Sequence, residues 1–179
     1  MDAVDRGQLE EEHCEPIFKY IFAIGKRLKN QVIMALNFNK YINDGEHFVN
    51  EVAKALGQPQ DKVKAGHVLR AVLHTLRNRL TPNESLQLIA QLPMLIKAVY
   101  VDGWRITNEA RELRHLGDFI EAVREAGGSA TRNDFVTDYE TEAAIRAVFR
   151  VIRQFVSDGE IADILATLPA ELKPLLEDR

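Results

Sequence analysis

The chain contains an internal repeat, and this repeat constrains its fold more than any other feature. The segment RAVLHTLRNRLTPNESLQLIAQLP at residues 70–93 returns as RAVFRVIRQFVSDGEIADILATLP at residues 146–169, with a constant offset of 76 residues. Eight of the 24 aligned positions are identical. A repeat of this length is typical of two copies of one supersecondary unit that bury their apolar faces against each other.

Apolar spacing and helix-ending residues predict the same helices in both copies. Each copy has a short helix that ends at glycine, at 48–57 and 119–128, and then a long helix, at about 60–80 and 138–156. Capping boxes follow at 81–84 and 157–160, and each opens a helix that a Leu-Pro pair then breaks. We therefore expect an all-α helical bundle of two tandem, pseudo-twofold related copies, about 48–104 and 119–176.

Residues 1–45 precede the copies and are predicted to form a separate region. An acidic lead at 1–15 is followed by a long amphipathic helix from about 16 to 37, and Asn43, Asp44 and Gly45 predict a turn. We accordingly divide the chain at residues 45 and 46, with the duplicated domain at 46–179. The apolar face of this extra helix includes Phe18 and Phe22, and Phe38 follows it. These residues are predicted to cover the chain's own bundle or to exchange between two chains.

Composition limits the classes of protein that fit. The net charge of the 179 residues is -4, which disfavours non-specific nucleic-acid binding. The single cysteine, Cys14, fits a reducing compartment. The first 16 residues lack an apolar core and no apolar run approaches 18 residues, so we expect no signal peptide and no membrane span. A cytoplasmic location is predicted.

The motif at residues 70–104 resembles the signature of the prokaryotic family known as domain of unknown function 2267. In that family an arginine-rich helix and an acidic capping turn precede Gln-Leu-Pro and Tyr-x-x-Gly-Trp, which are found here at 91–93 and 100–104. The resemblance covers roughly 46–176 and implies a duplicated all-helical domain in a cytoplasmic bacterial protein, without implying an activity. The second copy lacks the Tyr-x-x-Gly-Trp ending, and the region at 1–45 is additional to the usual domain.

Basic side chains at helical spacing form the main candidate site. They lie at equivalent positions of the two long helices: Arg70, His74 and Arg77 in the first copy, and Arg146, Arg150 and Arg153 in the second. Guanidinium groups bind carboxylates and phosphates bidentately, so these stripes predict an anionic partner or ligand. A solvated helix face with local ion pairs gives the same pattern, and Glu142 lies four residues before Arg146.

Tyr100 and Trp104, one helical turn apart, are a second candidate. They predict either an exposed aromatic contact site or a buried anchor at the boundary between the copies.

No catalytic, metal-binding or cofactor-binding motif is convincing, so we predict no catalytic residue, no metal and no cofactor. We expect a non-enzymatic protein-interaction or regulatory module that binds a protein partner or forms a homo-oligomer. Two alternatives remain open. One is a small-ligand or metal-dependent enzyme with its site between the copies, and the other is nucleic-acid binding through the cationic helices.

Overall fold

The computed structural model describes residues 37–105, 113–130 and 134–177, which form eight α-helices and no strand. The chain divides into two units, Met1–Lys40 and Tyr41–Arg179. The helices are α1 (Phe38–Ala55), α2 (Lys62–Arg79), α3 (Pro82–Gln91), α4 (Met94–Val101), α5 (Leu116–Gly127), α6 (Asp138–Phe155), α7 (Asp158–Thr167) and α8 (Lys173–Glu177). A 3₁₀ turn at Gly128–Ala130 follows α5. The predicted all-α class is confirmed, and the predicted helix at 16–37 lies almost entirely outside the described residues.

Local sequence signals set most of the helix ends. The Thr81 hydroxyl accepts the Glu84 N–H, and the Glu84 carboxylate accepts the Thr81 N–H at 2.8 Å, which is the predicted capping box. A second box, between Thr137 and Glu140, opens α6 and was readable in the sequence as Thr-x-x-Glu. Gly57 has a φ angle of +73°, a conformation that glycine adopts without steric cost, and it follows α1 as predicted.

The predicted turn at residues 43–45 is wrong, because α1 runs through it without a break. Gly45 is buried inside this helix, and a Cβ atom there would lie 3.0 Å from the Cβ and Cδ1 atoms of Leu95 in α4. The glycine therefore permits a close approach between two helices instead of ending one.

The predicted capping box at the start of α7 is only half formed. Ser157 accepts the Glu160 N–H, but the Ser157 N–H donates to Oε1 of Gln91 at 2.7 Å instead of to Glu160. The Nε2 group of Gln91 also lies 3.5 Å from the Glu160 carboxylate. Gln91 ends α3, so one amide side chain joins the end of α3 to the start of α7.

Helices α2 and α6 contribute more buried residues to the hydrophobic core than the other described helices do. Helix α2 packs against α4, α5 and α6, and α6 packs in addition against α8. Helices α3 and α7 pack against each other. Because α2 and α6 have 18 residues each and α3 and α7 have 10 each, the segments that repeat in sequence form helices of equal length. No helix in the described part of the chain is both long and apolar enough to cross a bilayer.

Candidate functional site

The stripe of the first copy contacts the carboxyl end of α4. Nη1 of Arg77 donates to the backbone carbonyls of Tyr100 and Asp102, the latter at 2.8 Å. The Nε2 atom of His74 lies 2.8 Å from the carbonyl oxygen of Val99, so the tautomer with its proton on Nε2 donates to that oxygen. The last turn of a helix has carbonyls without intrahelical partners. These side chains satisfy two of them, those of Val99 and Tyr100, together with the carbonyl of Asp102, which follows the helix.

Burial distinguishes the members of this stripe. Arg77 is only 7% exposed, whereas Arg70 is exposed and pairs with the Asp102 carboxylate at 3.1 Å. Burial lowers the pKa of the His74 imidazole, and the hydrogen bond to Val99 opposes that shift. Burial also lowers the pKa of the Arg77 guanidinium, against the opposing influence of Tyr100 and Asp102. An arginine nevertheless stays protonated in proteins, so Arg77 keeps a positive charge at the end of α4.

The stripe of the second copy contacts α8 in the same way. Nη1 of Arg153 donates to the carbonyl of Leu176 at 2.7 Å, and Nη1 of Arg146 donates to the carbonyl of Pro174 at 2.7 Å. Nε and Nη2 of Arg146 both donate to the Glu142 carboxylate, at 2.9 and 2.7 Å. The ion pair with Glu142 agrees with the alternative of local pairing along one helix face.

We use the name arginine clasp for the bond from Arg77 to the carbonyl of Tyr100 and for the bond from Arg153 to the carbonyl of Leu176. Each bond spans 23 residues, and both join a long helix to the carboxyl end of the last helix of its own copy. The clasps are intramolecular contacts that periodicity alone could not distinguish from a binding surface. Binding of an anionic partner by the stripes stays a prediction, and Arg70 and Arg150 are their exposed members.

Tyr100 is fully buried, so it presents no exposed surface to a partner. Its hydroxyl donates to Oγ of Ser85 at 2.9 Å, and its ring meets the half-buried Trp104 edge to face at 5.8 Å between centroids. Burial raises the pKa of the Tyr100 phenol, and the bond to Ser85 opposes the shift. The geometry matches a buried anchor, one of the two possibilities that the sequence left open.

The remaining predicted interface residues are the phenylalanines of the N-terminal region. Phe38 opens α1 and is 57% exposed. Phe18 and Phe22 lie outside the described residues. Their predicted role as an interface is therefore untested.

A pocket of about 240 Å³ lies between α2 of the first copy and α5 of the second, where the alternative of an enzyme expects its site. Thr75 and Asn78 line it from α2, and Glu125 lines it from α5 together with apolar side chains. The hydroxyl of Thr75 donates to the carbonyl of Ala71 within its own helix. Among the described residues no group of three or more metal-ligating side chains is found. The alternative of an enzyme stays untested.

A second depression, of about 360 Å³, was not predicted from the sequence, and we call it the α1–α4 groove. Its apolar lining comes from Gly45 and Val49 of α1 and from Leu95, Ile96 and Val99 of α4. Polar side chains also border it: Glu46 and Asn50 from α1, and Lys62 from the first turn of α2. The signal that could have found the groove is the apolar α4 segment together with a glycine placed inside a helix.

The second copy differs at the corresponding place. Leu95 aligns with Glu171 at the offset of 76, and Oε2 of Glu171 accepts the N–H of Leu116, the first residue of α5, at 3.2 Å. Oε1 of Glu171 lies 3.0 Å from Nδ1 of His115. In the second copy a carboxylate thus caps a helix start, whereas in the first copy a leucine contacts Gly45 in the middle of a helix.

The chain matches the model of a known protein family. The model described as Uncharacterized conserved protein (DUF2267) matches residues 45–175. No match to the chain is found among curated proteins.

Proposed function

The chain belongs to the DUF2267 family of uncharacterized conserved proteins, and we propose that it is a non-enzymatic protein-interaction module of the bacterial cytoplasm. The α1–α4 groove is the proposed contact surface. The region at 1–45 and the duplicated domain at 46–179 are its proposed parts.

The proposal of two tandem copies is supported by equivalent contacts as well as by equal helix lengths. The arginine clasp occurs at the same aligned positions in both copies. Helix α3 also packs against its counterpart α7, as expected when two similar units bury matching faces.

One observation supports the functional proposal most directly. An apolar groove lies open on the surface, whereas the polar side chains of the candidate site that are buried or half-buried form hydrogen bonds within the fold. Leu95 is 40% exposed beside the groove. Arg77, His74 and Tyr100 instead bond to backbone carbonyls or to a neighbouring hydroxyl. Exposed apolar surface rimmed by polar residues is typical of protein contact sites. Polar groups that already hold helices together have little capacity left for chemistry on a substrate.

Site-specific crosslinking in the native host tests the proposal with the full chain. A photoreactive amino acid at Asn50, which lines the groove, is expected to give discrete protein adducts. The substitution Leu95→Glu should remove them, because it brings a charge to the groove. The matched substitution Leu86→Glu should keep them, since Leu86 is 59% exposed on α3 and does not line the groove.

The same amino acid at Gln87, an exposed residue of α3, controls for random encounters. The proposal is wrong if positions 50 and 87 give the same adducts, or if the adducts from position 50 survive Leu95→Glu. Circular dichroism of each variant checks that the fold is retained.

The arginine stripes remain a further proposed contact for an anionic partner. Their exposed members allow a sharper test than reversal of all the arginines, because Arg77 and Arg153 also bond to backbone carbonyls. Charge reversal at Arg70 and Arg150 together should remove any such binding while leaving both clasps in place. Unchanged binding of the partner by this variant would exclude the stripes.

A further inference from the structure

Apolar side chains from two helices border the α1–α4 groove. Ile42, Gly45 and Val49 lie at helical spacing along α1, and Leu95 and Val99 lie one turn apart on α4. The two helices approach closely where Leu95 meets Gly45, and their apolar side chains border one depression beside that point. The apolar ridge of a third helix can pack into a groove between the side chains of other helices. Both walls are helical and the described residues include no strand, so backbone pairing with an extended peptide has no edge to use here.

Exposed apolar side chains extend the surface beyond the groove itself. Ile42 is 46% exposed on α1, and Met94 is 48% exposed next to Leu95 on α4. Large apolar side chains that adjoin a groove mark a contact surface more strongly than single exposed ones do. Exposed apolar side chains therefore occur on both helices that border the groove.

Charge at the edge of the groove indicates the chemistry of its occupant. Glu46 borders the groove from the middle of α1, and Lys62 borders it from the first turn of α2. Within the described residues neither of them forms an ion pair. An occupant that offers a basic group to Glu46 and an acidic group to Lys62 would complement both charges.

We propose that the α1–α4 groove binds an amphipathic helix of a partner protein, with a basic residue facing Glu46 and an acidic residue facing Lys62. This inference rests on the proposed function and names the class of partner. The apolar stripe of the partner helix contacts Gly45, Val49 and Val99, and its charged flanks contact the two rim residues. The apolar contact supplies most of the affinity, and the rim charges select the partner.

Binding of two synthetic peptides to the full chain tests this proposal. Both peptides are amphipathic helices with leucine at every third and fourth position. One carries lysine on both flanks of the leucine stripe, so that it can pair with Glu46 in either orientation. The other carries glutamate on both flanks, so that it can pair with Lys62. Fluorescence anisotropy of the labelled peptides measures their dissociation constants at about 0.15 M salt, where exposed charges are screened beyond about 8 Å.

Reversal of either rim charge should change the binding of the two peptides in opposite directions. Glu46→Lys is expected to weaken binding of the lysine peptide by about fivefold and to strengthen binding of the glutamate peptide, as for a close surface pair. Lys62→Glu should have the opposite effects. Asp163→Lys, an equal charge change at an exposed position of α7, should alter the binding of neither peptide by more than about twofold, because Asp163 does not line the groove.

The apolar contact has its own control. Leu95→Glu should weaken the binding of both peptides by more than about tenfold, because it places a charge in an apolar contact. Leu86→Glu should leave both dissociation constants unchanged. The inference fails if neither peptide binds at about 100 μM, a weak affinity for this mode of binding. It also fails if Leu95→Glu has no effect, or if Glu46→Lys and Asp163→Lys have equal effects.

A second copy of the chain is the main competing occupant. Sedimentation would then show a dimer that Leu95→Glu, but not Leu86→Glu, converts to monomer, and this result would overturn the proposed partner helix. If the peptides fail while the crosslinks from position 50 remain sensitive to Leu95→Glu, the occupant is wrong and the proposed function stands. If those crosslinks are absent, the proposed function itself fails.

Discussion

Replacement of Arg77 by methionine should destabilise the fold more than the same replacement at Arg153. Arg77 is 7% exposed and donates to two backbone carbonyls, whereas Arg153 is half-buried and donates to one. A hydrogen bond from a charged group contributes about 1.5–3 kcal/mol. Methionine retains the apolar contacts of the arginine side chain. Water can also hydrogen-bond to the carbonyl of the exposed Asp102 after the donor is lost, which reduces the cost. We therefore use the lower end of this range and expect the free energy of unfolding to fall by about 3 kcal/mol for Arg77→Met, which loses two bonds, and by about 1.5 kcal/mol for Arg153→Met, which loses one.

Urea unfolding followed by circular dichroism measures both values. The slope of the free energy against urea should stay unchanged, because the surface exposed on unfolding is almost the same. Thermal unfolding should show a melting temperature lower by about 6–12 °C for Arg77→Met, since 1 kcal/mol corresponds to about 2–4 °C at this chain length.

Arg70→Met is the matched control for this experiment. Arg70 lies on the same helix face, but it is exposed and so is its partner Asp102. Its replacement should lower the free energy of unfolding by less than about 0.5 kcal/mol, as is typical of surface ion pairs. The physical reasoning is refuted if Arg77→Met and Arg70→Met have equal effects, or if Arg153→Met proves the most destabilising of the three.

Four further substitutions test local features by the same unfolding assay. Gln91→Ala should cost about 1 kcal/mol by removing an acceptor at the start of α7, and a cost near zero would argue against this cap. Glu171→Gln should destabilise most between about pH 4.5 and 6.5, because the pKa of Glu171 is lowered and that of His115 is raised. The effect should diminish as the pH rises through the pKa of His115 or falls through that of Glu171, and a pH-independent difference would exclude the pair. Gly66→Ala should stabilise α2 by about 0.5–1 kcal/mol, because alanine favours helix and nothing lies within 4 Å of the added Cβ. Gly45→Ala should not stabilise α1, because its Cβ would lie 3.0 Å from Leu95. Equal effects of the two substitutions would contradict the close approach of α1 and α4.

Features determined by neighbouring residues could be predicted from the sequence. The cap at Thr81 and the glycine stop at Gly57 are examples, because each depends on residues within one turn. Gly45 was misassigned because its role depends on Leu95, 50 positions away. The cap from Gln91 to Ser157 depends on a contact across 66 residues and was missed for the same reason.

The candidate site was less predictable than the fold. Helical spacing correctly assigned Arg70, His74 and Arg77 to one face, but it could not tell which of them reach backbone carbonyls of a later helix. The α1–α4 groove also depends on how two helices pack, and the sequence gives no spacing rule for such a contact. The sequence therefore identified the polar residues that connect helices and missed the apolar surface between them.

The arginine clasps also have a consequence for the order in which the chain folds. Each clasp closes a loop of only 23 residues, whereas the Gln91 contact joins residues 66 apart and the bond from Arg79 to Thr167 joins residues 88 apart. Short loops lose less conformational entropy on closure and form sooner than long ones. During synthesis the first clasp therefore has all its parts once residue 100 has been made, and docking with the second repeated segment is the later and slower step.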